Sequence, residues 1–142
     1  MADSAFPLEG TRETILLVED HAALLKLVRQ ILEDANFTVI AARNAREAMR
    51  LEASHEGPIH LLLSDVRMPG KSGLELARKL VERRPRIRVV LMSGYPVGAA
   101  QVHREGWYYI QKPFAPAALV DKIRAALRGA PMAAGSSMGW NP

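Results

Sequence analysis

Residues 14–20, TILLVED, join a short apolar run to two carboxylates. The run after Thr14 shows no alternation of polar and apolar side chains, which is typical of a strand covered on both faces of a parallel sheet. Residues 21–35 then place leucine, valine and isoleucine three and four positions apart, and this spacing predicts an amphipathic helix. A buried strand followed directly by a helix is the opening of a βαβ unit.

The same alternation of strands and helices continues along the chain to Arg128. Further strands are predicted over residues 37–41, 59–65, 88–92 and 108–111, and further helices over 45–56, 74–84, 98–105 and 116–128. Asn44 suits an N-cap and Pro116 a first-turn position. The helix near Gly98 is expected to be short or irregular, because glycine and proline crowd that segment. The pattern predicts a parallel α/β sheet with right-handed crossovers.

Length and composition limit the class of protein. The chain has 142 residues and no cysteine, so one domain is expected, without disulfides or thiolate metal sites. Apolar runs are too short for a membrane span, and residues 1–10 do not resemble a signal peptide, so we expect a cytoplasmic location and no membrane partner. The organisation predicted is an N-terminal extension over 1–12, a domain over 13–128 and a flexible C-terminal tail over 129–142.

Five polar side chains fall at predicted strand ends: Glu19, Asp20, Asp65, Ser93 and Lys112. Ligands of open parallel sheets bind at these ends. Three carboxylates meeting there would repel one another unless a cation joined them, and an oxygen-only ligand set suits Mg²⁺. Ser93 and Lys112 add donors for an anion, so the set predicts a phosphoryl group held on Asp65 as nucleophile. Each residue alone is more often a turn former, a helix cap or a solvated side chain; the coincidence of five carries the hypothesis.

Four segments resemble the receiver domain of two-component response regulators, the CheY-like family: VED at 18–20, SDVRMP at 64–69 with Gly73, MSG at 92–94 and QKPF at 111–114. The resemblance covers about residues 13–128 and implies a flavodoxin-like (βα)5 three-layer sandwich with strand order 2-1-3-4-5. The residues at 91–96 and 111–114 are more similar to those in receivers of hybrid histidine kinases, or of single-domain regulators, than to those in receivers of transcription factors.

By this resemblance Asp65 would accept a phosphoryl group from a phosphohistidine on a sensor histidine kinase or a histidine phosphotransfer protein. Mg²⁺, or Mn²⁺ in its place, would be bound by Glu19, Asp20, Asp65 and the backbone carbonyl of Arg67. The resemblance implies a signalling phosphoacceptor rather than an enzyme, with only self-phosphotransfer and slow autodephosphorylation.

The resemblance also implies a switch. Ser93 would bond the phosphoryl oxygen and Lys112 would pair with it, while Tyr109 occupies the family's aromatic switch position. The Lys112–Pro113 bond is usually cis in the family, and an X-Pro bond is the one at which cis costs little. The surface that reads out the switch would be helix 4, strand 5 and helix 5.

Two positions that border the phosphoryl group in the family carry bulky side chains here, Arg67 and Tyr95. We hypothesise that Tyr95 restricts the attacking water and lengthens the life of the phosphorylated state. An equally weighted alternative is that Tyr95 simply packs on the surface.

Other interpretations stay open at the level of sequence. A Mg-dependent phosphatase of haloacid dehalogenase type also combines Asp, Ser, Lys and Mg²⁺, but Arg67 stands where such enzymes carry a second Asp. A pseudo-receiver that acts without phosphorylation is a further alternative, which the complete acidic set disfavours. The arginines from Arg83 to Arg88 are interpreted as a solvated helix end, so direct DNA binding is not expected. The downstream target is left open, and a monomer or weak homodimer is expected because the unusual helix 4 disfavours a conventional dimer.

Overall fold

The computed structural model describes residues 12–95 and 99–129, which form five strands and five helices in strict alternation. The strands are β1 (Thr14–Val18), β2 (Thr38–Ala42), β3 (Leu61–Asp65), β4 (Arg88–Ser93) and β5 (Tyr108–Gln111). The helices are α1 (Ala22–Asp34), α2 (Ala45–Ser54), α3 (Gly73–Arg83), α4 (Ala99–Arg104) and α5 (Pro116–Arg128).

All strand pairs are parallel, and the order in the sheet is β2-β1-β3-β4-β5. The fold is therefore the predicted flavodoxin-like one. The chain crosses from β2 on one side of β1 to β3 on the other, which creates a switch point at the carboxyl ends of the two central strands. Such a point is where open α/β sheets bind ligands.

The sheet separates two apolar cores, and alternate residues of each strand supply one or the other. In β1, Leu16 and Val18 face a core shared with α2, α3 and α4. Ile15 and Leu17 face a second core shared with α1 and α5. Both faces are covered, so central strands such as β1 and β3 are wholly buried and rigidly held.

Helix ends are fixed by local bonds. Asn44 Oδ1 accepts from the Glu47 N–H at 2.7 Å, as predicted for an N-cap, and Pro116 occupies the first turn of α5. His21 caps α1 by accepting from the Leu24 N–H through Nδ1 at 3.3 Å. Asn36 ends the α1 segment with a φ of 73°, a left-handed conformation that asparagine tolerates.

The interpretation of the arginine run as a solvated helix end is wrong for Arg84, which is partly buried, and for Arg88, which lies in β4 with two buried guanidinium nitrogens. Arg83 is exposed but ion-paired. Arg83 and Arg84 donate to the carboxylate of Glu52, which is buried in α2, at 2.6 and 2.9 Å. Arg84 also donates to the carbonyls of His55 and Gly57. These bonds tie the end of α3 to α2 and its following loop. The sequence pattern did not indicate that Glu52 is buried, because the other charged residues of α2 are exposed or partly exposed.

Element boundaries elsewhere differ from the predicted ones by one or two residues. The strand predicted over 37–41 lies one residue later, because Phe37 packs in the second core before the ladder with β1 begins. Helix α4 has only six residues, in line with its expected shortness, and residues 96–98 before it lie outside the described residues. The predicted extension and tail lie almost wholly outside them as well, and the boundaries at 13 and 128 stay a prediction. Within the described part of the chain, no helix is long and apolar enough to cross a membrane.

Candidate functional site

The carboxyl ends of β1, β3, β4 and β5 bring the five predicted site residues to one edge of the sheet. Glu19 and Asp20 follow β1, and Asp65 is the last residue of β3. Ser93 ends β4, and Lys112 follows β5. Parallel pairing aligns these ends, so residues distant in sequence share one small region.

Glu19, Asp20 and Asp65 form an acidic cluster in which one carboxylate oxygen of each lies within 4.8 Å of the others. Glu19 and Asp65 are buried, whereas Asp20 is exposed. Asp65 Oδ2 is buried and has no hydrogen-bond partner. Buried polar atoms are normally satisfied, so this oxygen and its two neighbours suit a hard cation with oxygen ligands. The acidic cluster could therefore hold a metal ion.

Lys112 lies against the two buried carboxylates. Its Nζ is 2.9 Å from Glu19 Oε1 and 2.5 Å from Asp65 Oδ1. Its backbone N–H donates to the Ser93 carbonyl at 2.8 Å, which fixes the start of the loop after β5 against β4. One ammonium therefore offsets part of the charge of two carboxylates and stands within reach of any group attached to Asp65.

The two buried carboxyl groups of the cluster have pKa values shifted in opposite directions. Burial, opposed by Lys112 and reinforced by the adjacent Glu19 carboxylate, raises the pKa of Asp65 to about 7. For Glu19, burial is outweighed by bonds from Asp65, the His21 N–H and Lys112, so its pKa lies below the ordinary value. Burial of Lys112 is likewise outweighed by its two carboxylate partners, which raise the pKa of its ammonium. Of the two buried carboxyl groups, Asp65 is therefore the one whose pKa lies near neutral pH.

The Ser93 hydroxyl bonds to the backbone of Tyr95. Ser93 Oγ donates to the Tyr95 carbonyl and accepts from the Tyr95 N–H, both at 3.0 Å. The Tyr109 hydroxyl donates to the same Tyr95 carbonyl at 2.8 Å. Ser93 and Tyr109 therefore share one acceptor, and any movement of the segment after β4 alters both.

Arg67 and Tyr95 meet above this edge. The Arg67 guanidinium carbon lies 5.5 Å from the centroid of the Tyr95 ring, within the range of a cation–π contact. Tyr95 is 62% exposed, which shows that the ring projects from the surface. The contact joins the loop after β3 to the loop after β4.

Gly73 fixes the approach of α3 to the site. A Cβ added there would lie 1.9 Å from the Asp65 carbonyl oxygen, and the Gly73 N–H donates to Val66 at 2.8 Å. Only glycine fits this contact, which explains its place in the quoted motif. The Lys112–Pro113 peptide bond is cis, the isomer that the resemblance implies.

The sequence predicts which residues lie at this edge of the sheet, but it does not predict all of the contacts between them. The double contact of Lys112 and the shared carbonyl of Tyr95 were not expected. The role of the Tyr95 carbonyl as a shared acceptor could not be read from the sequence, because every residue has a backbone carbonyl. The proposed role of the Arg67 carbonyl as a metal ligand stays a prediction.

Comparison with known proteins agrees with this geometry. The family model described as the response regulator receiver domain matches residues 15–124. The chain therefore belongs to the family of response regulator receiver domains.

Individual relatives support the assignment. The chain is 35% identical over 117 residues to the C4-dicarboxylate transport transcriptional regulatory protein DctD of Rhizobium meliloti (strain 1021), covering 80% of this chain and 25% of that protein. It is 35% identical over 128 residues to the transcriptional regulatory protein ResD of Bacillus subtilis (strain 168), covering 87% and 52%. The chain thus spans a quarter to about half of these curated relatives.

Among solved structures, the receiver domain protein (CheY-like) from Methanospirillum hungatei JF-1 superposes with a TM-score of 0.74 at 30% identity. The match covers 82% of this chain and 94% of that one. The superposition therefore extends over nearly the whole of that receiver.

Proposed function

We propose that this receiver domain accepts a phosphoryl group on Asp65 from a phosphohistidine of a sensor histidine kinase or a histidine phosphotransfer protein. The observation that carries the proposal is the environment of Asp65. Its carboxylate ends a central strand, borders two further carboxylates and contacts Lys112. A nucleophilic oxygen, a place for a cation and a fixed ammonium are the groups that phosphoryl transfer to a carboxylate requires.

Mg²⁺ is the cation proposed for the acidic cluster, with Mn²⁺ as a substitute. Glu19, Asp20, Asp65 and the Arg67 carbonyl would hold it, and the ion would neutralise phosphoryl oxygens. Lys112 would turn from the carboxylate to the attached phosphoryl group, because it already contacts Asp65. The buried position of Glu19 keeps the ligand set in place without large side-chain motion.

The switch proposed for this chain begins at Ser93. A phosphoryl group adds a charge of about −1.5 to −2 and three acceptor oxygens. Ser93 would leave the Tyr95 carbonyl to donate to one of these oxygens, and Tyr109 would keep that carbonyl as its acceptor. The change would reach the surface formed by α4, β5 and α5, where a downstream protein of unknown identity would bind.

Intact-mass measurement tests the proposal. Incubation with Mg²⁺ and acetyl phosphate should add one phosphoryl mass to the wild type and none to Asp65→Ala. Asp121→Ala is the matched control, because it removes an exposed carboxylate on α5 and should leave the gain unchanged.

Two results would contradict the proposal. A gain of mass in Asp65→Ala would place the modification elsewhere, and the absence of any gain with acetyl phosphate and with a phosphorylated histidine phosphotransfer protein would favour a pseudo-receiver. Turnover of an unrelated phosphomonoester would instead support a phosphatase. Arg67 argues against that activity, because a guanidinium cannot act as a general acid–base at neutral pH.

A further inference from the structure

An apolar groove runs between α1 and the start of α5, on the face of the sheet opposite α2 and α3. Its volume is about 610 Å³, and its walls are formed by Leu24, Leu27 and Ile31 on one side and Pro113 and Phe114 on the other. Leu27 is 56% exposed and Tyr95, at one end of the groove, is 62% exposed. Within the described residues these are the exposed large hydrophobic side chains, and both lie in the same groove.

Exposed apolar residues that cluster in one groove indicate a docking surface, whereas scattered ones do not. Two other cavities of the described part have a different character. One is lined by Asp20, Arg43 and Lys71 among others, and the second by Glu13 and Arg124. The groove is the most apolar of the three, with Lys112 as the charged residue of its lining, so its occupant should be largely apolar.

We propose that the occupant is the C-terminal segment of this chain, residues 130–142, anchored by Trp140. Residues 130–142 contain no Asp, Glu, Lys, Arg or His, so their burial would desolvate no charged side chain. Trp140 supplies a large apolar surface with a polar N–H, and Met138 supplies an adaptable side chain. The anchors thus match the groove in chemistry.

The length of the segment also matches the distance. Pro116 lines the groove at the first turn of α5, and the segment leaves the last turn. A helix of 13 residues is about 20 Å long. The eleven residues 130–140 span at most about 36–40 Å when fully extended, so Trp140 is within reach of the groove. A partner attached to the same chain has an effective concentration of about the millimolar range, so weak apolar contacts suffice for docking.

Paramagnetic relaxation tests docking without any phosphorylation. The chain contains no cysteine, so Asn141→Cys gives a single site for a nitroxide label beside Trp140. Methyl signals of Leu24 and Ile31 should be lost selectively, while those of Leu51 and Val81, which pack on the opposite core, should remain.

Two further variants of the labelled 142-residue chain provide controls. Trp140→Ser should restore the groove signals from the side of the segment. Leu27→Asp, at an exposed position that tolerates a carboxylate, should restore those of Leu24 and Ile31 from the side of the groove. Uniform broadening, or selective broadening that survives Trp140→Ser, would overturn the proposal. So would loss of signal in a mixture of spin-labelled and isotope-labelled chains, because the segment would then dock on a second copy.

Discussion

Tyr95 makes contacts beside the proposed phosphorylation site through two separate parts of the residue. Its carbonyl accepts from both Ser93 and Tyr109, whereas its ring lies beside the Arg67 guanidinium. The backbone part survives any side-chain substitution. A change of the ring alone can therefore separate the proposed control of water access from the switch itself.

Tyr95→Ala should shorten the life of the phosphorylated protein. On the hypothesis that the Arg67–Tyr95 contact restricts the attacking water, its loss would open the path to Asp65, and an exposed cation–π contact contributes about 0.5–1 kcal/mol. Loss of that contact corresponds to roughly a two- to fivefold faster dephosphorylation. Phosphate release after removal of the phosphodonor measures the rate.

Arg67→Ala is the matched variant, because it removes the other member of the contact and should accelerate release to a similar degree. If Tyr95→Ala releases phosphate no faster than the wild type, the ring merely packs on the surface. A slower release from Tyr95→Ala would show that the ring assists the water.

At the scale of elements, the start of α3 presses directly on the end of β3. Gly73→Ala should destabilise the fold, because its Cβ would overlap the Asp65 carbonyl oxygen and neither backbone can yield easily. Overpacking of this kind costs typically 1–3 kcal/mol. Urea unfolding should give a lower midpoint, and any folded protein should be phosphorylated more slowly because Asp65 is displaced.

Gly94→Ala is the control for Gly73→Ala. Gly94 follows β4 near the same site, but an added Cβ would have no atom within 4 Å. Its free energy of unfolding should change by about 0.5 kcal/mol or less, as for open surface positions. Equal destabilisation by the two substitutions would show that chain stiffness, rather than the contact with Asp65, determines the effect.

The ion pairs of Glu52 in α2 with Arg83 and Arg84 at the end of α3 form a clamp between the two helices, and this clamp gives a second prediction at this scale. Glu52→Gln should lower the free energy of unfolding at pH 7 by about 2 kcal/mol, somewhat less than for a fully buried pair, because Arg83 is 49% exposed. Glu56→Gln, which changes an exposed glutamate of the following loop, should have little effect. Equal midpoints of wild type and Glu52→Gln in urea would contradict the role of the clamp.

The same clamp predicts a dependence on pH. Burial of Glu52 is outweighed by Arg83 and Arg84, which hold the pKa of its carboxyl below the ordinary value of 4.5. A lowered folded-state pKa gives a contribution that is present above 4.5 and is lost as pH falls through the folded value. The difference between wild type and Glu52→Gln should therefore shrink in acid. A difference that widens as pH falls below 4.5 would contradict this sign.

Periodicity and turn chemistry suffice to predict the elements, because each strand and helix has a local signal such as the Asn44 cap or Pro116. They also place Glu19, Asp65 and Lys112 at one edge, since parallel strands end together. Contacts between elements have no such signal. The burial of Glu52 and the fit of Gly73 against Asp65 depend on how the helices pack against the rest of the fold. A local sequence pattern carries no information on the distances between packed elements.

At the scale of the whole molecule, a net charge of +4 conceals a concentrated negative site. Glu19, Asp20 and Asp65 lie together, and Lys112 offsets only part of their charge. Like charges held close together oppose folding, and a bound cation removes that cost. Mg²⁺ should therefore stabilise the folded domain, although the chain as a whole is positively charged.

Mg²⁺ should raise the thermal midpoint of the wild type in proportion to its binding. At a free concentration ten times the dissociation constant, the stabilisation is about 1.4 kcal/mol, equivalent to roughly 5 °C for a domain of this size. Asp20→Asn should be more stable than the wild type without Mg²⁺, because one repulsive charge is gone, and should lose most of the response. Asp121→Asn removes the same charge from α5 and should keep the wild-type behaviour in both conditions. Differential scanning calorimetry with and without Mg²⁺ measures both effects, and an undiminished Mg²⁺ response in Asp20→Asn would place the cation outside the acidic cluster.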